Sequence, residues 1–226
     1  MDKAVVLLSG GLDSTVCMAV AKSRGMTLFP ISFDYHQRHK IELMSAKKVA
    51  KFYGVRRHLI VKTNMDAIGG SALTDSTIDV PAGIVERETV PVTYVPARNL
   101  IFLSYALSYA EVIEARSVFI GVNAVDYSGY PDCRPEFISR FQSLADFSTK
   151  AAAVDGKSIT IEAPLQMLSK KEIVLLGSRL QAPLALTRSC YRGGEKACGV
   201  CDSCQLRLKG FQEAGIPDPI SYERRA

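Results

Sequence analysis

The apolar positions of this chain fall into short unbroken runs separated by stretches of helical spacing. Residues 3–8 (KAVVLL) are continuously apolar after the first, as in a strand covered on both faces of a parallel sheet. Gly10 and Gly11 break that run. Asp13 and Ser14 can cap a helix reaching about Arg24, with Val16, Cys17, Ala19 and Val20 on its apolar face and Gly25 as its stop. Residues 27–33 read as a second strand, 41–53 as a helix ended by Gly54, and 57–61 as a third strand. Strand, helix, strand, helix, strand predicts right-handed crossovers and helices on both faces of the sheet.

Residues 63–95 interrupt the rhythm: they are rich in Gly, Thr and Pro and weakly periodic, as in a functional loop or partly mobile lid. Helical spacing resumes over 99–115 (Ile101, Leu103, Ala106, Leu107, Ala110), followed by a fourth strand over 118–122 and a helix from 135 to about 152. A short strand over 159–161 and a helix capped by Ser169 and reaching about 176 complete the pattern. The expected fold class is α/β, a doubly wound, mostly parallel five-stranded sheet built from residues 1–182. Residues 183–226 differ in composition and are expected to form a small metal-binding subdomain packed on that core.

Composition adjusts this picture modestly. With 226 residues the chain can bury a full core without disulfides, and 47% hydrophobic with 23% charged residues suits a soluble globular protein. The apolar segment after Met1-Asp2-Lys3 is too short for a signal sequence, and no run approaches the roughly 20 residues of a membrane helix. A cytoplasmic protein without membrane contact is therefore expected. The charge of +5 is scattered apart from Arg38 to Lys40, Lys47-Lys48 and Arg56-Arg57. Dedicated nucleic-acid binders concentrate basic residues on one face beside stacking aromatics, so a preference for small anions is expected and direct nucleic-acid binding is not.

Four of the six cysteines, Cys190, Cys198, Cys201 and Cys204, are crowded with spacings x7, x2 and x2. Four thiolates so placed can converge on one tetrahedral ion at about 2.3 Å. Gly193, Gly194 and Gly199 free the backbone to turn around it, and Lys196 and Arg207 can offset the ligands' negative charge. One structural Zn²⁺ per chain is the expectation, since four ligands saturate zinc; an iron–sulfur cluster or a redox pair are the competing readings. Cys17 reads as a helix core residue.

A strand ending in Ser9-Gly10-Gly11 and turning into a helix gathers backbone N–H groups and the positive helix end around one point, as a phosphate requires. A Cβ at either glycine would block such a ligand. Ser9, Ser14 and Thr15 add hydroxyls, whereas Asp13 repels phosphate unless it caps the helix or helps to hold Mg²⁺. The sequence is neither a Walker A loop nor GxGxxG. The string Ser9-Gly10-Gly11-Leu12-Asp13-Ser14 resembles the SGGxDS loop of the ATP pyrophosphatase family. That resemblance implies an adenine nucleotide alpha hydrolase-like fold and ATP as a substrate, held by Leu8, the six loop residues, Thr15, Val16, Cys17 and Met18.

Beyond the fourth strand, residues 121–136 lie where ligands of open α/β sheets bind. Asp126, Asp132 or Glu136 can accept N–H bonds from a guanine-like edge, and Tyr127 or Tyr130 can stack on a flat ring. Several segments occur together and in order: the SGGLDS loop, Gln37-Arg38-His39, Tyr94-Val95-Pro96-Ala97-Arg98-Asn99, DYSGYPDCR at 126–134, and the four cysteines. Over nearly its whole length the chain thereby resembles the 7-cyano-7-deazaguanine synthase (QueC) family, and DYSGYPDCR is the most specific of these segments. Ala97, where many relatives carry Gly, is a departure near Arg98.

The resemblance implies conversion of 7-carboxy-7-deazaguanine, ammonia and ATP into a nitrile on the route to queuosine, with tRNA not itself a substrate. It implies Mg²⁺, structural Zn²⁺ and a homodimer. Arg98 and Lys170, the latter in Ser169-Lys170-Lys171-Glu172-Ile173 (similar to an SKxEI element), join the loop on ATP and act with Asp13 in catalysis. Gln37, Arg38, His39, Asp126, Tyr130, Asp132, Arg134 and Glu136 are the substrate candidates. Cys133 reads as a partly buried small residue. A tRNA thiolase or an amide synthetase would share the loop without needing DYSGYPDCR, and a zinc-dependent nucleic-acid binding module is a further alternative.

Overall fold

The computed structural model describes residues 1–38, 41–83, 90–125 and 129–223. Five strands, β1 (Lys3–Leu7), β2 (Thr27–Asp34), β3 (Leu59–Lys62), β4 (Ser117–Phe119) and β5 (Thr160–Glu162), form one sheet in the order β3-β2-β1-β4-β5. All four pairings are parallel, with Val5 opposite Phe29 on one side and Val118 on the other. Successive residues of β1 point to opposite faces, which is why its apolar run is continuous. Val5 and Leu7 enter one core with Leu103 and Ala106 of α3 (Arg98–Val112) and Ile138 and Phe141 of α4 (Pro135–Ser148). Ala4, Val6 and Leu8 enter the other, with α1 (Leu12–Ser23), α2 (Ile41–Phe52), α6 (Lys170–Arg179) and α7 (Asp202–Ala214). The four-residue α5 (Lys150–Ala153) continues from α4.

The chain passes from β1 to β2 and β3, then crosses back to place β4 on the other side of β1. Such a reversal opens a crevice at the carboxyl ends of the two strands, here β1 and β4.

Local chemistry departs from expectation in several places. The N-cap of α1 is Gly11 without a side-chain cap, so Asp13 and Ser14 lie inside the first turn rather than capping it. The Ser169 cap is present as a full capping box with Glu172, and α6 runs on to Arg179. In the 63–95 loop, Ala72 and Val80 pack with Cys190, Cys198, Cys201 and Cys204, Ala82 bridges Cys201, and the Gly83 amide donates to Val200 O at 2.7 Å. Part of the loop thus covers the cysteine segment, Met65, Leu73 and Val95 enter the core with Val5 and Leu7, and none of its described residues lines the crevice.

Ala97 stands at the N-cap of α3 with φ 54°, in the left-handed region. A non-glycine residue there costs roughly 1–2 kcal/mol, partly offset by the greater unfolded-state freedom of glycine, about 0.4–1 kcal/mol. Ala97→Gly is accordingly expected to raise the melting temperature by up to about 3 °C, read by calorimetry.

Candidate active site

The 9–14 loop leaves the end of β1 and is held by the chain's own backbone. Gly10, at φ +92°, lies against the first turns of α2: a Cβ there would meet Ala46 N at 2.5 Å and Glu42 O closer still. Its glycine therefore serves helix packing, which corrects the expectation that a Cβ would chiefly obstruct a ligand. The Arg188 amide donates to Gly10 O at 2.9 Å, and the Leu12 amide reaches Ser189 Oγ at 3.5 Å. Ser9 Oγ and Ser14 Oγ are 3.0 Å apart, and Ser14 Oγ donates to Gly11 O at 3.2 Å. On the other side Gly121, just past β4, abuts the loop; a Cβ there would lie 3.0 Å from Ser14 N.

Lys170, the first residue of α6, sends its Nζ to both carboxylate oxygens of Asp13, at 2.9 and 2.8 Å. The Lys170 side chain is 7% exposed and that of Asp13 22%, and of the two Asp13 lines the crevice. Asp13 neither caps α1 nor repels an incoming anion unopposed, because a cation is already bound to it. An approaching phosphate can draw on the Lys170 charge and the positive end of α1, while Asp13 can turn to a divalent cation.

Arg98 opens α3 and faces the crevice beside Tyr35, whose hydroxyl lies 3.5 Å from Nη1. Burial disfavours its charge, but Tyr35, Asp132 and Tyr130 more than offset that and hold the guanidinium pKa above its usual value. Arg98 is kept in place by a lock on its neighbour. The Asn99 amide donates to Asp132 Oδ2 at 3.0 Å, and Asn99 Nδ2 donates to Asp132 O at 3.2 Å. Asp132 thus caps α3 across 33 residues; burial raises its pKa, and the Asn99 bonds and Arg98 pull it back. Cys133 beside it is buried, which pushes its thiol up to about 12, as befits a packing residue.

The crevice is lined by loop residues Leu8, Ser9, Gly11, Leu12, Asp13 and Ser14, and by Arg98 and Asn99. Its flat surfaces come from Phe33, Tyr35, Phe102 and Tyr130. Phe33 and Phe102 are stacked at 3.8 Å between centroids, and Tyr130 shares a 2.8 Å hydrogen bond with Thr93. Ser189, Tyr191 and Ser203 close it from the cysteine segment.

Some sequence candidates lie elsewhere. Val16, Cys17 and Met18 are in the core, and burial drives the Cys17 thiol well above its normal range. Thr15 is fully buried, with its hydroxyl unpartnered among the described residues. Gln37 lines the crevice but spends its amide on Tyr35 N (2.9 Å) and Phe33 O (3.2 Å), clamping the end of β2. Arg38 turns away to Asp75 O at 2.8 Å. Asp132 is committed to Asn99, and Arg134 and Glu136 are exposed and outside the lining. His39, Asp126 and Tyr127 lie outside the described residues. Sequence reasoning passed over Tyr35, Phe102, Asn99, Ser189, Tyr191 and Ser203. An aromatic two residues past an apolar run was the available signal for Tyr35, while Ser189, Tyr191 and Ser203 had none beyond nearness to cysteines.

Cys190, Cys198, Cys201 and Cys204 are buried with all ligand sulfurs within 4.8 Å of one another. Cys198 Sγ and Cys204 Sγ are 3.9 Å apart, close to the ~3.8 Å edge of a tetrahedron with 2.3 Å metal–sulfur bonds. Backbone amides of Val200 and Cys201 point at Cys198 Sγ, at 3.5 and 3.4 Å, as donors to a thiolate. Hydrogen bonds among the sulfurs hold the Cys190 thiol far below its usual range and push Cys204 far above it. Four sulfurs gathered in this way are a donor set that fits a thiophilic metal. Arg207 does not offset these ligands as expected: its guanidinium is spent on Asp218, at 2.8 and 2.9 Å. Lys196 is exposed.

The family described as queuosine biosynthesis protein QueC matches residues 3–215. The 7-cyano-7-deazaguanine synthase of Desulfitobacterium hafniense is 61% identical over 222 residues, covering 98% of this chain and 94% of that one. The enzyme of the same name from Acetivibrio thermocellus is 61% identical over 225 residues, covering 100% of both chains. That of Coxiella burnetii is 55% identical over 224 residues, covering 98% of each.

Proposed function

The chain belongs to the QueC family, and from that premise we propose that it is an ATP-dependent carbon–nitrogen ligase converting 7-carboxy-7-deazaguanine and ammonia into 7-cyano-7-deazaguanine. The observation that carries this is a crevice lined by the 9–14 loop, Arg98 and a wall of flat rings, with Lys170 paired from behind to the loop's Asp13. The loop and cations suit a triphosphate, and Tyr35, Phe102 and Tyr130 suit a planar base.

A carboxylate is a poor electrophile because it is anionic and its oxygen leaves badly. Attack of that oxygen on ATP turns it into a leaving group, and ammonia then displaces it to give the amide. A second ATP activates the amide oxygen, which departs on the phosphorus it has attacked while the nitrogen gives up its two protons, leaving the nitrile. The chain's contribution is position and charge: loop amides and Lys170 hold the phosphates, and Arg98 faces a phosphate or the substrate carboxylate. Asp13 would hold a Mg²⁺ brought with ATP, and the ion would neutralise phosphate charge. The family resemblance further supports a homodimer in the cytoplasm; among the described residues no helix is long and apolar enough to cross a membrane.

Incubation with 7-carboxy-7-deazaguanine, ammonium and Mg-ATP should yield the amide and then the nitrile by mass spectrometry, with consumption of ATP. Absence of both products would refute the assignment.

The four cysteines are proposed to hold one structural Zn²⁺. Elemental analysis should find one zinc per chain, and Cys201→Ser should lose it. The loss of metal-linked folding energy, several kcal/mol, should lower the melting temperature by about 10 °C. A brown protein with broad visible absorbance would instead indicate an iron–sulfur cluster.

A further inference from the structure

Lys170 reaches Asp13 from a confined position. Its stem is buried between α6 and α7, and the surface it lies on is the backbone of Gly210 in the middle of α7. A Cβ built at 210 would lie 2.9 Å from Lys170 Cβ and 3.1 Å from its carbonyl carbon, and nearer still to Lys170 Cγ. Glycine in a helix interior costs roughly 1 kcal/mol relative to alanine. The geometry supplies its reason here, since any side chain would occupy the channel along which the lysine stem runs. Cys201 is the N-cap of α7 and Cys204 lies in its first turn, so the helix that confines Lys170 is rooted in the cysteine cluster.

We infer that Gly210 is a positioning residue of the active site: it lets α7 lie directly on the first turn of α6, so that the Lys170 ammonium is delivered to Asp13 and to a bound phosphate. This rests on the proposed phosphate contact of Lys170. Gly177 provides a control. It is also tightly packed, a Cβ there meeting Val16 Cγ2 at 2.7 Å and Leu184 Cδ2 at 3.1 Å, but its neighbours are core side chains.

The test measures Mg-ATP affinity by calorimetric titration, and thermal melting, for the full-length zinc-loaded protein and four variants. Gly210→Ala should weaken Mg-ATP binding about tenfold, the loss of one charge-assisted hydrogen bond. Lys170→Ala should weaken it at least as much, and the double variant should bind no worse than Lys170→Ala alone, because the two changes act through one group. Gly177→Ala should melt lower yet bind within about twofold of the parent. If Gly210→Ala alone does not fold, the double variant made with Lys170→Gly should, since glycine lacks both the Cγ and the Cβ that lie within 3.0 Å. Native affinity in a folded Gly210→Ala variant, full additivity in the double variant, or failure of the double variant made with Lys170→Gly to fold would each overturn the inference. Native affinity in Lys170→Ala would instead remove the phosphate contact on which it rests.

Discussion

Arg98→Ala is expected to leave a folded protein whose ATP-dependent turnover falls by about 10²–10³-fold, the usual cost of removing one preorganised charge donor. Folding should survive because α3 is capped through the Asn99 amide and Asp132, neither of which needs the guanidinium. Arg98 faces the crevice beside Tyr35, and its surroundings keep it cationic, so its charge is in place before any ligand arrives. Arg98→Lys should restore little, because a point charge on a flexible stem cannot reproduce a planar fork of donors. Product formation by mass spectrometry, beside melting curves, checks both. Retained turnover in folded Arg98→Ala would remove this residue from the mechanism.

The largest effect on stability is expected from Arg207→Ala. Arg207 is 1% exposed, pairs with Asp218 through Nε and Nη2, donates to Thr187 Oγ1 at 2.7 Å, and stacks over Phe211. Truncating it leaves the Asp218 carboxylate buried with, among the described residues, only Tyr222 and the Ile220 amide as donors. Breaking such a pair costs about 3–5 kcal/mol, or about 10 °C or more in a chain of this length. Replacing both charges at once, as Arg207→Met with Asp218→Leu, should cost much less because no unpaired charge remains. Thermal melts of the two variants make the comparison. Equal destabilisation would mean that packing, rather than charge pairing, sets the cost.

The alternation of strands and helices was legible because β1 and α1 carry period and punctuation together: an apolar run, two glycines, then helical spacing. The four-cysteine site was legible from spacing alone, since ligands close in sequence need only a turn to converge. Helix α7 was not legible. Cysteines and polar residues fill its first turns, and Gly210 interrupts its middle for a reason that lies on another helix, 40 positions upstream. Asp132 looked like a ligand for the substrate because a carboxylate in a Pro/Gly loop gives no sign that it caps a helix 33 residues earlier. Gly10 misled in the opposite direction. Its need for a missing Cβ was foreseen, but the atom it makes room for belongs to α2. In each case the residue type was informative and its partner was distant in sequence.

The anion-binding loop begins at residue 9, yet its surroundings are completed only by residues 188–210, through the Arg188 amide on Gly10, Ser189, Tyr191 and Ser203 at the crevice, and Gly210 behind Lys170. During synthesis, which proceeds from the amino end, the sheet is whole once β5 emerges, but at that stage the loop is open and neither Lys170 nor its support has been made. The proposed nucleotide site is therefore completed only by residues about 180–200 positions along the sequence from its loop, and a product terminated before them has the sheet without the residues that close the crevice.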